Sequence, residues 1–290
     1  PFSFHPDNNL TPGACTKPQQ FQSKRANIAP LDLYSWRIKE QVSAVSIQFI
    51  NNKGNMAQAL WDEAASLISV TEKHPFLTAM VNGTLPIENF QYYVIQDALY
   101  LKDFGSCLNL LSKNNGVESK DSERLKTFSR GATEVEMALH GGFFDKWGID
   151  ATNAEAMPNT VLYTSYMIRI VATKCHAEGL AVLLPCFWVY MHVGKCMLKL
   201  REDLGDSVKR PPAYDAWIDM YAGDEFERDV KDYIAMCDNA AKNADESTLK
   251  SMREHFMMSC KLEHMFWDQA NDLMKWPDIV AESCEGDKDE

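Results

Sequence analysis

What this chain of 290 residues lacks narrows its chemistry first. Its eight cysteines (Cys15, Cys107, Cys175, Cys186, Cys196, Cys237, Cys260, Cys284) include no C-x-x-C pair and no zinc-like spacing, which argues against zinc ribbons and paired-thiol redox motifs. Most lie in apolar helical contexts where a free thiol behaves as a small hydrophobe, so the expected compartment is reducing and the default location cytoplasmic. No dense cluster of Lys and Arg offsets the formal charge of -12 and pI near 5.1. Such a chain repels phosphate backbones and anionic lipid, so neither nucleic acid nor a membrane is an expected partner. No uninterrupted apolar run reaches the roughly 18 residues of a membrane span, and the basic and apolar segments of a signal peptide are missing. The chain opens on Pro1 rather than Met, which carries the expectation of an upstream segment removed before it. Internal repeats are absent, and few stretches alternate Val, Ile and Thr as strands do.

What is present is a hydrophobic content of 46%, enough to bury a substantial core in one large domain. Residues 1–53 form an expected N-terminal extension or linker. Its first 30 or so residues (HPDNNLTPGACTKPQQFQSK) are rich in Pro, Asn, Gln and Ser, and 31–53 are ambiguous between strand and helix. From residue 54 to 276 the apolar spacing is helical almost throughout, which predicts an all-α bundle. Supporting signals are the Asn82-Gly83 turn, Pro86 in a first helical turn, Asp224 with Glu227 as a capping box, and Ser247 as an N-cap. Residues 277–290 form an acidic tail that should fray.

Two carboxylates stand where surface residues should not. On NFQYYVIQDALYLKDFGSCL, helical spacing puts Tyr93, Asp97, Tyr100 and Phe104 on one face. On HFMMSCKLEHMFWDQA, it puts Glu263 among Phe256, Cys260 and Trp267. A buried carboxylate without a partner costs several kcal/mol or takes up a proton, so each acid implies a partner, a cavity or chemistry. In LLPCFWVYMHVG, Cys186 shares a side with Tyr190, flanked by Val182 and Val189. Pro185 either starts a helix, placing Cys186 in a first turn that favours thiolate, or interrupts a longer one and frees carbonyls. Cysteine on an apolar helix is ordinarily a space-filler, so these residues by themselves leave Cys186 open between packing and nucleophile.

Five segments, HPFLTAMVNGTLPIENFQYYVIQDALYL (74–101), YTSYM (163–167), LLPCFWVYMHVG (183–194), YDAWIDMYAGDEF (214–226) and LEHMFW (262–267), resemble the TenA or thiaminase II family in its cysteine-containing branch, in order and spacing. The resemblance covers roughly 56–276; the first 53 residues depart from it, as do His192 and His264 beside the motifs. It implies a heme-oxygenase-like helical bundle, usually a homotetramer without cofactor, that hydrolyses an aminopyrimidine or thiamin to hydroxymethylpyrimidine. By match to its motifs, Cys186 is the nucleophile and Glu263 the general acid/base. Asp97 and Tyr100 contact the pyrimidine, Tyr163, Tyr190 and Tyr221 complete the pocket, and Phe104 extends the aromatic wall. Bundles of this shape also house di-iron oxidases, for which Glu136, His140, His176, His192 and the Glu263-His264 pair offer ligands, although no pair of E-x-x-H motifs occurs. A non-catalytic pyrimidine-binding protein is the third reading.

Overall fold

The computed structural model describes residues 53–149, 151 and 153–277. The extension read in 1–53, apart from Lys53, and the tail read in 277–290, apart from Pro277, lie outside the described residues. A short 3-10 turn at Lys53–Asn55 leads into nine α-helices among the described residues: α1 Met56–Thr71, α2 Pro75–Val81, α3 Ile87–Leu111, α4 Ser119–Trp147, α5 Pro158–Thr173, α6 His176–Leu204, α7 Pro212–Ala222, α8 Asp224–Lys242 and α9 Glu246–Asn271. There is no strand among them, in agreement with the helical period.

Helix starts follow the local chemistry. Pro75, Pro158 and Pro212 each open a helix, where a missing N–H costs nothing and a fixed φ is helical already. The Asn82-Gly83 turn is real: Gly83 has φ +70°, and a Cβ there would strike the Lys209 carbonyl. Three expected boundaries shift. Pro86 precedes α3 as its N-cap rather than lying within the first turn. Asp224 is already helical, with Gly223 at the N-cap and no side-chain cap. Glu227 instead pairs with Lys195 at 2.6 Å and Lys231 at 2.8 Å, whose ammonium groups hold its carboxyl down at about 2. The cap of α9 is Asp245, whose carboxylate accepts from Thr248 N at 2.8 Å, so Ser247 falls inside the helix. In a run such as Asp245-Glu246-Ser247 several side chains compete to cap, and the carboxylate is the stronger acceptor.

Helix α6 is the axis of the bundle, touching α9, α7, α8, α5, α2 and α3. Pro185 lies inside it, so it does not start a helix and Cys186 is not in a first turn; no helix terminus polarises its thiol. Nearby, Ser259 of α9 donates to the Val182 carbonyl at 2.8 Å, which ties α9 to α6 beside the proline. By length and composition α6 is apolar enough to cross a membrane despite its lack of an unbroken run, and 67% of that window is buried inside the bundle. A second set of ties joins the middle of α3 to the start of α5 and the end of α9. Gln96 accepts from Met157 N at 2.9 Å and Thr160 Oγ1 at 2.8 Å, while Gln269 donates to Thr160 Oγ1 at 2.9 Å. Buried polar groups satisfied in this way hold helices in register at little net cost.

Candidate active site

The aromatic stripe of α3 and the Cys186 face of α6 meet across a cavity of about 830 Å³. Asp97, Tyr100 and Phe104 line it from α3, Cys186 and Tyr190 from α6, and Tyr221 from α7. Tyr163 of α5 and Glu263 of α9 stand directly behind this lining. The ring of Tyr163 lies 5.1 Å from that of Tyr100, and its hydroxyl donates to Glu263 Oε1 at 2.6 Å. The Tyr100 hydroxyl donates to Cys186 Sγ at 2.8 Å. Five helices thus bring the eight singled-out side chains to one place.

Their surroundings set their protonation. Glu263 is 1% exposed, and burial, with Asp97 adding its charge, lifts its carboxyl to about 8 against the pull of the Tyr163 hydrogen bond. At neutral pH it is therefore mostly a neutral acid, able to donate a proton. Burial also pushes the Cys186 thiol well above its usual range, Glu263 pushes it further, and the Tyr100 hydrogen bond works in the opposite direction. The site holds a thiol and a carboxylic acid, so chemistry here must move protons with the heavy atoms rather than start from a stored thiolate.

Flat rings wall the cavity. Tyr100 stacks on Phe104 with centroids 5.8 Å apart, and the Tyr190 and Tyr221 rings approach to 4.8 Å. Two supports escaped the sequence reading. Trp217 donates from Nε1 to the Tyr93 hydroxyl at 3.2 Å, which in turn donates to Tyr190, and the Trp217 ring packs 4.8 Å from Tyr221. Gly194 lets α7 approach α6: a Cβ there would lie 2.7 Å from the Tyr221 backbone. Of the aromatics beside Cys186, Phe187 lines the cavity with Tyr190, but Trp188 turns away to stack on Trp61 at 4.4 Å.

Among the described residues, no group of candidate ligands gathers around Glu263. His192 bonds Glu72 at 2.6 Å, and His264 faces Thr71 at 3.0 Å. His176 stands at the start of α6 and is held below its ordinary range by burial. The side chains of Glu136 and His140 lie outside those described.

Comparison with known proteins bears on this architecture directly. Residues 57–273 match the model of the TENA/THI-4/PQQC family. An aminopyrimidine aminohydrolase of Bacillus subtilis is 35% identical over 218 residues, 73% of this chain and 88% of that protein. The solved TenA homologue of P. horikoshii superposes with a TM-score of 0.67 at 25% identity, over 75% of this chain and 99% of its own. A heme-oxygenase-like domain from Shewanella denitrificans, 14% identical with a TM-score of 0.61 over 75% of this chain and 92% of its own, shares the fold. With the family model spanning α1 to α9, the chain belongs to the TENA/THI-4/PQQC family.

Proposed function

We propose that the chain is a thiamin-salvage hydrolase, an aminopyrimidine aminohydrolase or thiaminase II. It cleaves the carbon–nitrogen bond at the pyrimidine methylene of 4-amino-5-aminomethyl-2-methylpyrimidine, and of thiamin, to give hydroxymethylpyrimidine. The observation that carries this reading is Cys186, held by Tyr100, lining an aromatic-walled cavity with protonated Glu263, held by Tyr163, directly behind that lining.

Water does not readily displace an amine from such a methylene, but addition of sulfur to the ring opens a route. Cys186 Sγ bonds to a ring carbon while Glu263 protonates the adjacent ring nitrogen and regains a proton from the thiol, so the addition creates no net charge in the buried site. Glu263 then protonates the amine as the electron pair of the adduct expels it, so that ammonia leaves. Water adds to the exocyclic methylene, its spare proton leaves through Glu263, and departure of the thiol restores the aromatic ring. Asp97 accepts from the exocyclic amino group, and Tyr190, Tyr221 and Phe104 hold the ring flat.

In this reading residues 54–276 are the catalytic unit of a cytoplasmic homotetramer, with 1–53 and 277–290 as appendages. The test is ammonia release from the aminomethylpyrimidine by chelator-treated protein. Release without metal is the expected outcome; activity that vanished with chelator and returned with iron would favour a di-iron oxidase, and binding without turnover a non-catalytic pyrimidine binder.

A further inference from the structure

Two groups of described residues bring three ligand atoms within 4.8 Å of one another: Glu72, His192 and Cys196, and His74, His264 and Asp268. Their hydrogen bonds separate them. His74 Nδ1 accepts from Phe76 N at 3.1 Å, so the neutral ring carries its proton on Nε2 and presents it to Asp268 Oδ1 at 3.1 Å. A metal on Nε2 would leave this ring without a proton on either nitrogen, whereas a metal-bound histidine keeps one on the far nitrogen for a second partner. That group is complete as a hydrogen-bonded cluster.

The first group differs. His192 and Cys196 are one turn apart on α6 and project to the same side. Glu72, immediately after α1, meets them there: its Oε1 is 2.6 Å from His192 Nε2, which is 3.6 Å from Cys196 Sγ. The ring of Trp61 meets His192 edge-on at 5.1 Å and limits its rotation. Tetrahedral zinc holds nitrogen and sulfur ligands about 3.5 Å apart, so the histidine–cysteine spacing already fits and only the carboxylate has to withdraw, by about 1 Å. The charges fit as well. A divalent ion displacing the thiol proton and binding a neutral imidazole leaves thiolate, carboxylate and metal summing to zero, as a partly buried site requires. The side chains of His192 and Glu72 are 32% and 29% exposed, which leaves a fourth position open to water.

We propose that Glu72, His192 and Cys196 form a zinc-binding site that fastens the end of α1 to the central helix, on the side of α6 that meets Trp61. Thiolate, imidazole and carboxylate in one set favour zinc over calcium, magnesium or manganese. The proposal is independent of the reaction assigned to the cavity.

The test uses the full chain, stripped with chelator and titrated with Zn²⁺ and with Co²⁺ as a spectroscopic substitute. Stoichiometric binding is expected, tightening as pH rises because the ligands must lose protons, together with a higher Tm and a thiolate-to-cobalt charge-transfer band. Cys196→Ser should abolish the band and His192→Gln the binding, while Glu72→Gln keeps the band at lower affinity and Asp268→Asn changes neither. Metal-free protein should turn over aminopyrimidine as before, so failure of the zinc site and failure of the hydrolase reading are separately visible. Absence of the band, its survival in Cys196→Ser, or undiminished binding in His192→Gln would overturn the proposal.

Discussion

Cys186 and Cys196 stand on the same helix, and their neighbours give them different chemistry. Cys186 faces a cavity walled by aromatic rings, takes a hydrogen bond from Tyr100 and feels the Glu263 carboxyl. Cys196 is half-buried against His192, with Glu72 raising its thiol further after burial has done so. Both thiols are neutral at rest. In the proposed reaction the first loses its proton only as it bonds to a substrate that accepts a proton elsewhere; in the proposed zinc site the second loses it to the cation that replaces it. Residue type does not separate these fates, and the groups within a few ångströms of the sulfur do.

The largest effect expected is on the cavity side. Cys186→Ser should keep pyrimidine binding, because the hydroxyl fits the same space, and lose turnover by roughly 10³-fold or more, because an alcohol is a far weaker nucleophile. Calorimetry beside an ammonia assay separates the two quantities; near-full turnover would leave Cys186 a space-filler.

Glu263→Gln should cost about 10²–10⁴-fold with the aminopyrimidine and less with thiamin, whose thiazole leaves without a proton. It should also flatten stability against pH. The native carboxyl titrates at about 8 rather than 4.5, so the folded state binds the extra proton between these values. Wild-type stability should therefore fall as pH rises from 4.5 through 8, and the glutamine variant, with nothing to titrate, should show less of that fall. Urea midpoints across this range decide it.

Tyr100→Phe keeps the stack on Phe104 and removes the hydrogen bond to sulfur. A bond to a developing charge contributes about 1.5–3 kcal/mol, so kcat should drop about 10- to 100-fold with KM little changed. Gly194→Ala should act through shape alone. The added methyl pushes α7 away, costing about 1–3 kcal/mol of stability and raising KM more than it lowers kcat, since Tyr221 is displaced while Cys186 is not. Cys107→Ser should be smallest in rate: this buried thiol, pushed up to about 12, lies outside the lining, so turnover should stay within about twofold while stability falls by about 1–2 kcal/mol.

Much of this arrangement was legible because helices of period 3.6 write their buried face into the sequence. Asp97 and Glu263 stood out as acids on apolar stripes, and both are buried. Cys186 and Tyr190 shared a side of α6 and share the cavity. What could not be read was set by contacts between distant segments or by competition among near neighbours. Trp217 supports Tyr190 through Tyr93, three residues on three helices with no common period. Gly194 matters only because α7 crosses there. Glu72 and His192 are 120 residues apart, and in the sequence His192 stood as a departure from a motif and as one of several possible iron ligands, with nothing to link it to Glu72. The starts of α8 and α9 moved because runs of acids and hydroxyls offer several caps, and Pro185 gave no sign of whether it opened or interrupted a helix.

The central claim, that Cys186 bonds to the pyrimidine ring while the thiol facing Glu72 does not, is tested most directly by acid-quenching the enzyme through its first turnover of aminopyrimidine and mapping peptide masses. The account predicts a pyrimidine increment on the Cys186 peptide that rises and falls within that turnover and never appears on the Cys196 peptide. No increment on Cys186 at any quench time, or one on another cysteine, would contradict it.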